Sequence, residues 1–168
     1  LYKRARLAAL ALTLLLTAGS VCMTPGVGAA AGAMTPPPPT IAAKSAKLVD
    51  ASTGQVLYAS NSAERMAPAS ITKIMTMLLV MEQVRAGRIS LDDVVTVSTE
   101  ASLMGGSQVY LKERERVPVR DLMAATAIRS ANDASFALAE YVAGTADDFV
   151  RMMNERARQL GMENTHFT

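Results

Sequence analysis

The sequence predicts an α+β domain, a β-hairpin followed by a mostly helical region. Two short apolar runs, 46–51 (AKLVDA) and 54–60 (GQVLYAS), flank the turn-forming pair Ser52-Thr53. An apolar stretch over 70–86 ends at Gly87, as a helix would. Beyond it, three segments carry helix start and stop signals in close succession.

Two segments precede the hairpin. Residues 1–6 (LYKRAR) are basic, and 7–18 (LAALALTLLLTA) are apolar. Small residues over 28–33 then offer several small-x-small cleavage sites. This is the layout of a secretory signal peptide, expected over 1–33. The apolar run is shorter than the ~20 residues of a membrane-spanning helix, so cleavage is expected rather than anchoring. Cys22 follows Gly19-Ser20-Val21, which lacks the Leu and the final small residue of a lipidation site. Residues 34–45 read as a linker, because four consecutive prolines at 36–39 favour an extended polyproline segment. The folded domain is then expected over 46–168.

Within the domain, Gly54 opens the second strand of the hairpin. Residues 61–69 form a loop. The 70–86 helix is apolar almost all round (Ile74, Met75, Met77, Leu78, Leu79, Val80, Met81), which places it at the centre of the domain. Residues 92–98 read as a short extended segment, Gly105-Gly106 as a turn, and Val109-Tyr110-Leu111 as a second extended piece. Pro118 begins a helix over 119–129, and another covers 132–143, stopped by Gly144. Thr145, with Asp148 three residues on, opens a helix over 146–160 that Gly161 ends.

Composition excludes several chemistries. Half the residues are apolar, but only 4% are aromatic and none is Trp, so Ala, Leu, Val and the 11 Met must fill the interior. The net charge of +2 misleads, because three of the 17 basic residues lie in the leader, and no acidic residue precedes Asp50. Without residues 1–34, 14 basic side chains face 15 acidic ones, and no basic patch supports nucleic-acid binding. The one Cys is in the leader and the one His is His166, which leaves no His/Cys metal cluster.

Ser70-Ile71-Thr72-Lys73 carries the first chemical signal. On a helix, residues three apart share a face, so the lysine amine can reach the serine hydroxyl. A serine is a poor nucleophile without a base beside it, and a lysine desolvated by apolar neighbours can be that base. Ser-x-x-Lys arises by chance about once per few hundred positions, so alone it would read as a capping Ser and a surface Lys. Ser70 also opens the expected helix, where outward N–H groups favour negative charge. Ser130-Ala131-Asn132 lies at the junction of two helices. There a second serine can relay a proton, and an asparagine can hold a substrate amide.

These elements, with Pro68-Ala69 before Ser70, Gly105-Gly106-Ser107, the run from Ser130 to Ala134 and Asn164-Thr165-His166-Phe167, closely resemble the bacterial D-alanyl-D-alanine carboxypeptidases. These are the low-molecular-mass penicillin-binding proteins, peptidase family S11. The likeness runs from about Ala46 to Thr168. It implies the serine β-lactamase/D,D-peptidase (transpeptidase-like) fold, in truncated form. The N-terminal hairpin and helical part would be present, and the remaining strands of a five-stranded antiparallel sheet would be missing.

The resemblance implies roles for four residues. Ser70 would attack the D-Ala-D-Ala carbonyl and form an acyl-enzyme, with Lys73 taking its proton. Ser130 would pass a proton to the departing D-alanine, and Asn132 would hold the peptide. The substrate would be a peptidoglycan stem peptide ending in D-Ala-D-Ala, and β-lactam antibiotics would acylate the same serine. No cofactor or metal is implied. The protein would be exported to the cell envelope, in the periplasm or on the outer face of the cytoplasmic membrane. It would touch that membrane only through its leader or a further C-terminal anchor.

Two departures from the family pattern stand out. Ala131 replaces the usual glycine, one added methyl. The family's Lys-Thr-Gly motif falls beyond Thr168. The strand that carries it supplies one oxyanion-hole donor, and losing such a donor lowers rates ~100- to 1,000-fold. The 168 residues alone are therefore expected to be weak or inactive. The enzymatic alternative is a class A-like β-lactamase, whose Glu-x-x-Leu-Asn run is not matched by Glu163-Asn164-Thr165-His166. The other alternative is a non-catalytic penicillin- or stem-peptide-binding protein. His166 is expected to have no catalytic part, because no Gly-x-Ser-x-Gly elbow accompanies it.

Overall fold

A computed structural model describes residues 37–168. The expected signal peptide and the first residues of the linker lie outside them. The chain divides into two units, one ending at Ser62 and the other running from Ala63 to Thr168.

The first unit holds the expected hairpin. Strands β1 (Ala46–Val49) and β2 (Val56–Ser60) pair antiparallel, with an irregularity between Leu48 and Val49. The turn is wider than Ser52-Thr53. Asp50 organises it, its Oδ1 accepting the N–H and the hydroxyl of both Ser52 and Thr53. These bonds hold the Asp50 carboxyl down at about 2. Gly54 takes a φ of 74°, which a side chain would oppose.

The second unit contains five α-helices among the described residues: α1 (Lys73–Arg85), α2 (Thr99–Ser102), α3 (Val119–Arg129), α4 (Asn132–Ala143) and α5 (Ala146–Gln159). A 3-10 turn over Ala69–Thr72 leads into α1. Strands β3 (Val94–Thr96) and β4 (Arg116–Pro118) form a second antiparallel pair. The helices expected from 119, 132 and 146 start at those residues. Thr145 caps α5 as its pattern implied, its hydroxyl accepting from the Asp148 N–H. No helix of the described residues is long and apolar enough to cross a membrane.

Two expectations require correction. The central helix is α4, not the 70–86 segment. Helix α4 touches α1, α2, α3, α5 and β3 and buries Ala134, Ala137, Leu138 and Ala139. Its alanines let neighbouring helices approach closely, whereas α1 buries one side and leaves Ile74 62% exposed. Second, residues 109–111 are not extended. Tyr110 sits at φ 62°, and the flanking amides of Val109 and Leu111 bond to the Asp133 carboxylate rather than to a strand. Pro118 begins the 119–129 helix as expected, and it also ends a strand that the sequence did not announce. Three-residue strands such as β4 leave no detectable period in a sequence.

The interior forms two clusters. One gathers α1, β3, α2, α3 and α4 around Val80, Val95, Leu122 and Leu138. The other sets Met75 and Leu79 of α1 against Phe149 and Met153 of α5. Arg156 of α5 also reaches Glu82 of α1, with Nη2 at 2.7 Å from Oε1.

Candidate active site

Ser70 does not sit in the first turn of an α-helix, as expected, but in the 3-10 turn before it. That turn winds tighter than an α-helix and brings residues three apart over one another. Ala69, just before, is held at φ 49°, a left-handed conformation that a side chain disfavours. The exposed Ser70 Oγ thereby lies 3.2 Å from Lys73 Nζ.

Lys73 opens α1 and is half-buried. Desolvation there lowers its pKa below the ordinary lysine range. Its Nζ also donates to Asn132 Oδ1 at 2.6 Å. Once neutral, the amine has a lone pair to receive the Ser70 hydroxyl proton while an N–H stays on Asn132. That is the arrangement a serine nucleophile needs.

Asn132 begins α4. Its orientation is imposed by a facing loop. Its Nδ2 donates to the Gly105 carbonyl at 2.7 Å, and its backbone N–H donates to the Ser107 carbonyl at 2.7 Å. A carbonyl can only accept, so Gly105 selects the nitrogen end of the amide and leaves the oxygen for Lys73. Gly106, between the two carbonyls, has φ 81°, and a Cβ there would lie 2.7 Å from Asn132 Nδ2. The Gly-Gly-Ser run is thus a close-packed cradle. The sequence marked it as a turn without revealing what it holds.

Ser130 is the fourth expected residue. It caps α3 in the left-handed region (φ 53°, ψ 36°) and is half-buried. The structure does not join it to the others, since no hydrogen bond links its hydroxyl to Ser70 or Lys73. Non-glycine residues in this region persist where their surroundings over-determine them, and such positions cluster at functional sites. Ala131 has ordinary backbone angles (φ −65°, ψ 122°) and is fully buried in the core. Its methyl is packed there, and no glycine is needed.

A cleft of about 460 Å³ opens on the other partners of Lys73. Lys73, Thr76, Asn132 and Ser135 are among its polar lining residues, and Met104, Phe136, Phe149 and Phe167 among its apolar ones. Neither Ser70 nor Ser130 lines it, and Asp147 is the acidic side chain that does. Phe167 is pinned at both backbone atoms by the Asn154 side chain. His166 is exposed and does not line the cleft.

Residues 32–168 match the family described as D-alanyl-D-alanine carboxypeptidase, Peptidase_S11. D-alanyl-D-alanine carboxypeptidase DacF of Bacillus subtilis (strain 168) is 50% identical over 125 residues, which are 74% of this chain and 32% of that protein. The crystal structure of the D-alanyl-D-alanine carboxypeptidase DacD from Francisella tularensis superposes with a TM-score of 0.76 at 40% identity. The match covers 80% of this chain and 32% of that one. Penicillin-Binding Protein D2 from Listeria monocytogenes, in its ampicillin-bound form, gives 0.70 at 31% identity, over 79% of this chain and 53% of that one. The chain spans about a third of the length of the curated relatives it matches, from 32% to 39% in the first three. These likenesses give the chain the fold of the penicillin-binding D,D-peptidases and place it in the D-alanyl-D-alanine carboxypeptidase family, S11.

Proposed function

We propose that the protein to which this chain belongs is a serine-type carboxypeptidase that removes the terminal D-alanine from peptidoglycan stem peptides. Ser70 Oγ attacks the carbonyl of the D-Ala-D-Ala bond, and its proton passes to neutral Lys73. Ser130 relays a proton to the departing D-alanine nitrogen. The C–N bond breaks, and the ester on Ser70 is then cleaved by water, releasing the shortened stem peptide. Asn132, its amide oriented by Gly105, keeps Lys73 aimed at Ser70 and has a second N–H for a substrate carbonyl.

The observation that carries this reading is the contact of Lys73 Nζ with Ser70 Oγ at 3.2 Å, in a setting that lowers the lysine pKa. β-Lactams would acylate the same oxygen, because their strained amide stands in for the D-Ala-D-Ala bond. The basic, then apolar, then small-residue leader over 1–33 supports export, so the enzyme would act in the cell envelope. The linker over 34–45 would separate the leader from the domain at 46–168.

The test is mass spectrometry of the full-length protein after incubation with benzylpenicillin. One penicilloyl adduct on the Ser70 peptide is expected, and none in Ser70→Ala. An unlabelled wild-type protein would refute the proposal. Rapid nitrocefin turnover in place of a long-lived adduct would assign the site to a β-lactamase instead.

A further inference from the structure

Asp133 is buried to 1% exposure, the one acidic side chain so buried among the described residues, and no step above uses it. A buried carboxylate is unfavourable unless hydrogen bonds replace its water. Its oxygens accept the N–H of Val109 at 3.2 Å, of Leu111 at 3.0 Å and of its own neighbour Ala134 at 2.9 Å. Val109 and Leu111 flank Tyr110, an 81% exposed residue at φ 62°. A bulky side chain stays in that conformation only where its surroundings enforce it. Two residues earlier in the same segment is Ser107, whose carbonyl takes the Asn132 N–H, and Gly105 takes the Asn132 side chain.

We propose that Asp133 is a positioning residue: by clamping Val109 and Leu111 it holds the 105–111 segment where Gly105 and Ser107 orient Asn132 toward Lys73. The adjacent residues Asn132 and Asp133 thus grip one loop at two points. Asn132 takes its carbonyls, and Asp133 takes its amides. Without the carboxylate, two loop amides lose their acceptor, the Gly105 carbonyl is free to drift, and the Asn132 amide can rotate its oxygen away from the lysine. The role rests on the carboxypeptidase reading, because its consequence is a slower acylation of Ser70.

A double-mutant cycle in the full-length protein tests it, read as the rate of acylation by a fluorescent penicillin at saturation. Asp133→Ala should slow acylation about tenfold in the wild-type background and less than about twofold in Asn132→Ala, because the two act as one unit. A merely structural aspartate would slow both backgrounds by the same factor, and that result, or no slowing at all, would overturn the proposal. Should Asp133→Ala fail to fold, Asp133→Asn keeps the volume and one acceptor and enters the same cycle with the same criterion. Ser70→Ala serves as the separate control. If it still takes the label, the carboxypeptidase reading fails. If it does not, and the cycle is additive, only the positioning role fails.

Discussion

The segment 68–73 reaches the site through a four-residue 3-10 turn with Ser70 exposed and Ile71 65% exposed, whereas 130–133 enters between two α-helices with Ala131 and Asp133 buried. The first is local: Ser70 and Lys73 meet because they are three residues apart. The second is tertiary: Asn132 and Asp133 bond to a loop more than twenty residues earlier in the chain. The side of the proposed nucleophile is thus open, and the side that orients the proposed base is held by hydrogen bonds to a distant loop. Preorganisation of this kind belongs where reorganisation would slow each turnover.

Removing the base should break the comparison most severely. Lys73→Ala in the full-length protein is expected to slow acylation by about 100- to 10,000-fold, as loss of a general base does. In the wild-type protein the acylation rate should climb with pH and flatten below the ordinary lysine range. The sign follows from burial. The folded protein gives up the Lys73 proton at lower pH than the unfolded chain, so the charged amine opposes folding below the lowered pKa. That opposition fades as pH rises toward the unfolded value. A rate profile that levels only at the pH of an exposed lysine would contradict the desolvated base.

A second experiment weighs the buried wall against the exposed surface. Leu138→Ala, at a fully buried position of α4, should destabilise by about 2–5 kcal/mol through transfer and cavity terms. Leu103→Ala, at a position 76% exposed, should stay within about 0.5 kcal/mol. Thermal or denaturant unfolding of the two variants measures the contrast. Equal losses would mean that α4 is not the central helix.

The smallest expected effect extends the comparison to the hairpin, whose turn is as local as the Ser70 turn. The Asp50 carboxyl is held at about 2 by four hydrogen bonds. Its support for the turn is present above the unfolded aspartate value near ~3.9 and is lost as pH falls through the folded one. Amide exchange at Ser52 and Thr53 should therefore accelerate, relative to intrinsic rates, as pH drops across that window. In Asp50→Ala the acceleration should vanish.

Much of this was legible in the residues because it is short-range. Helix starts at 119, 132 and 146 follow from proline, capping and glycine signals that act within a turn. The Ser70–Lys73 contact follows from a spacing of three, and the hairpin from two apolar runs around a polar turn. Ser130 and Asn132 were singled out by their Ser-x-Asn spacing and given roles by the family likeness, and the structure brings Asn132 to Lys73 while leaving Ser130 unbonded to either.

What the residues by themselves determined was where three of the helices begin, where the chain turns, and which hydroxyl has an amine beside it. Those properties depend on backbone and side-chain geometry over three or four positions. Only the tertiary structure decided that α4 rather than α1 lies at the centre, that 109–111 bends around a buried carboxylate, and that Gly106 leaves room for the Asn132 amide. Each of these depends on groups far apart in the chain competing for one small volume, and no local pattern encodes the winner.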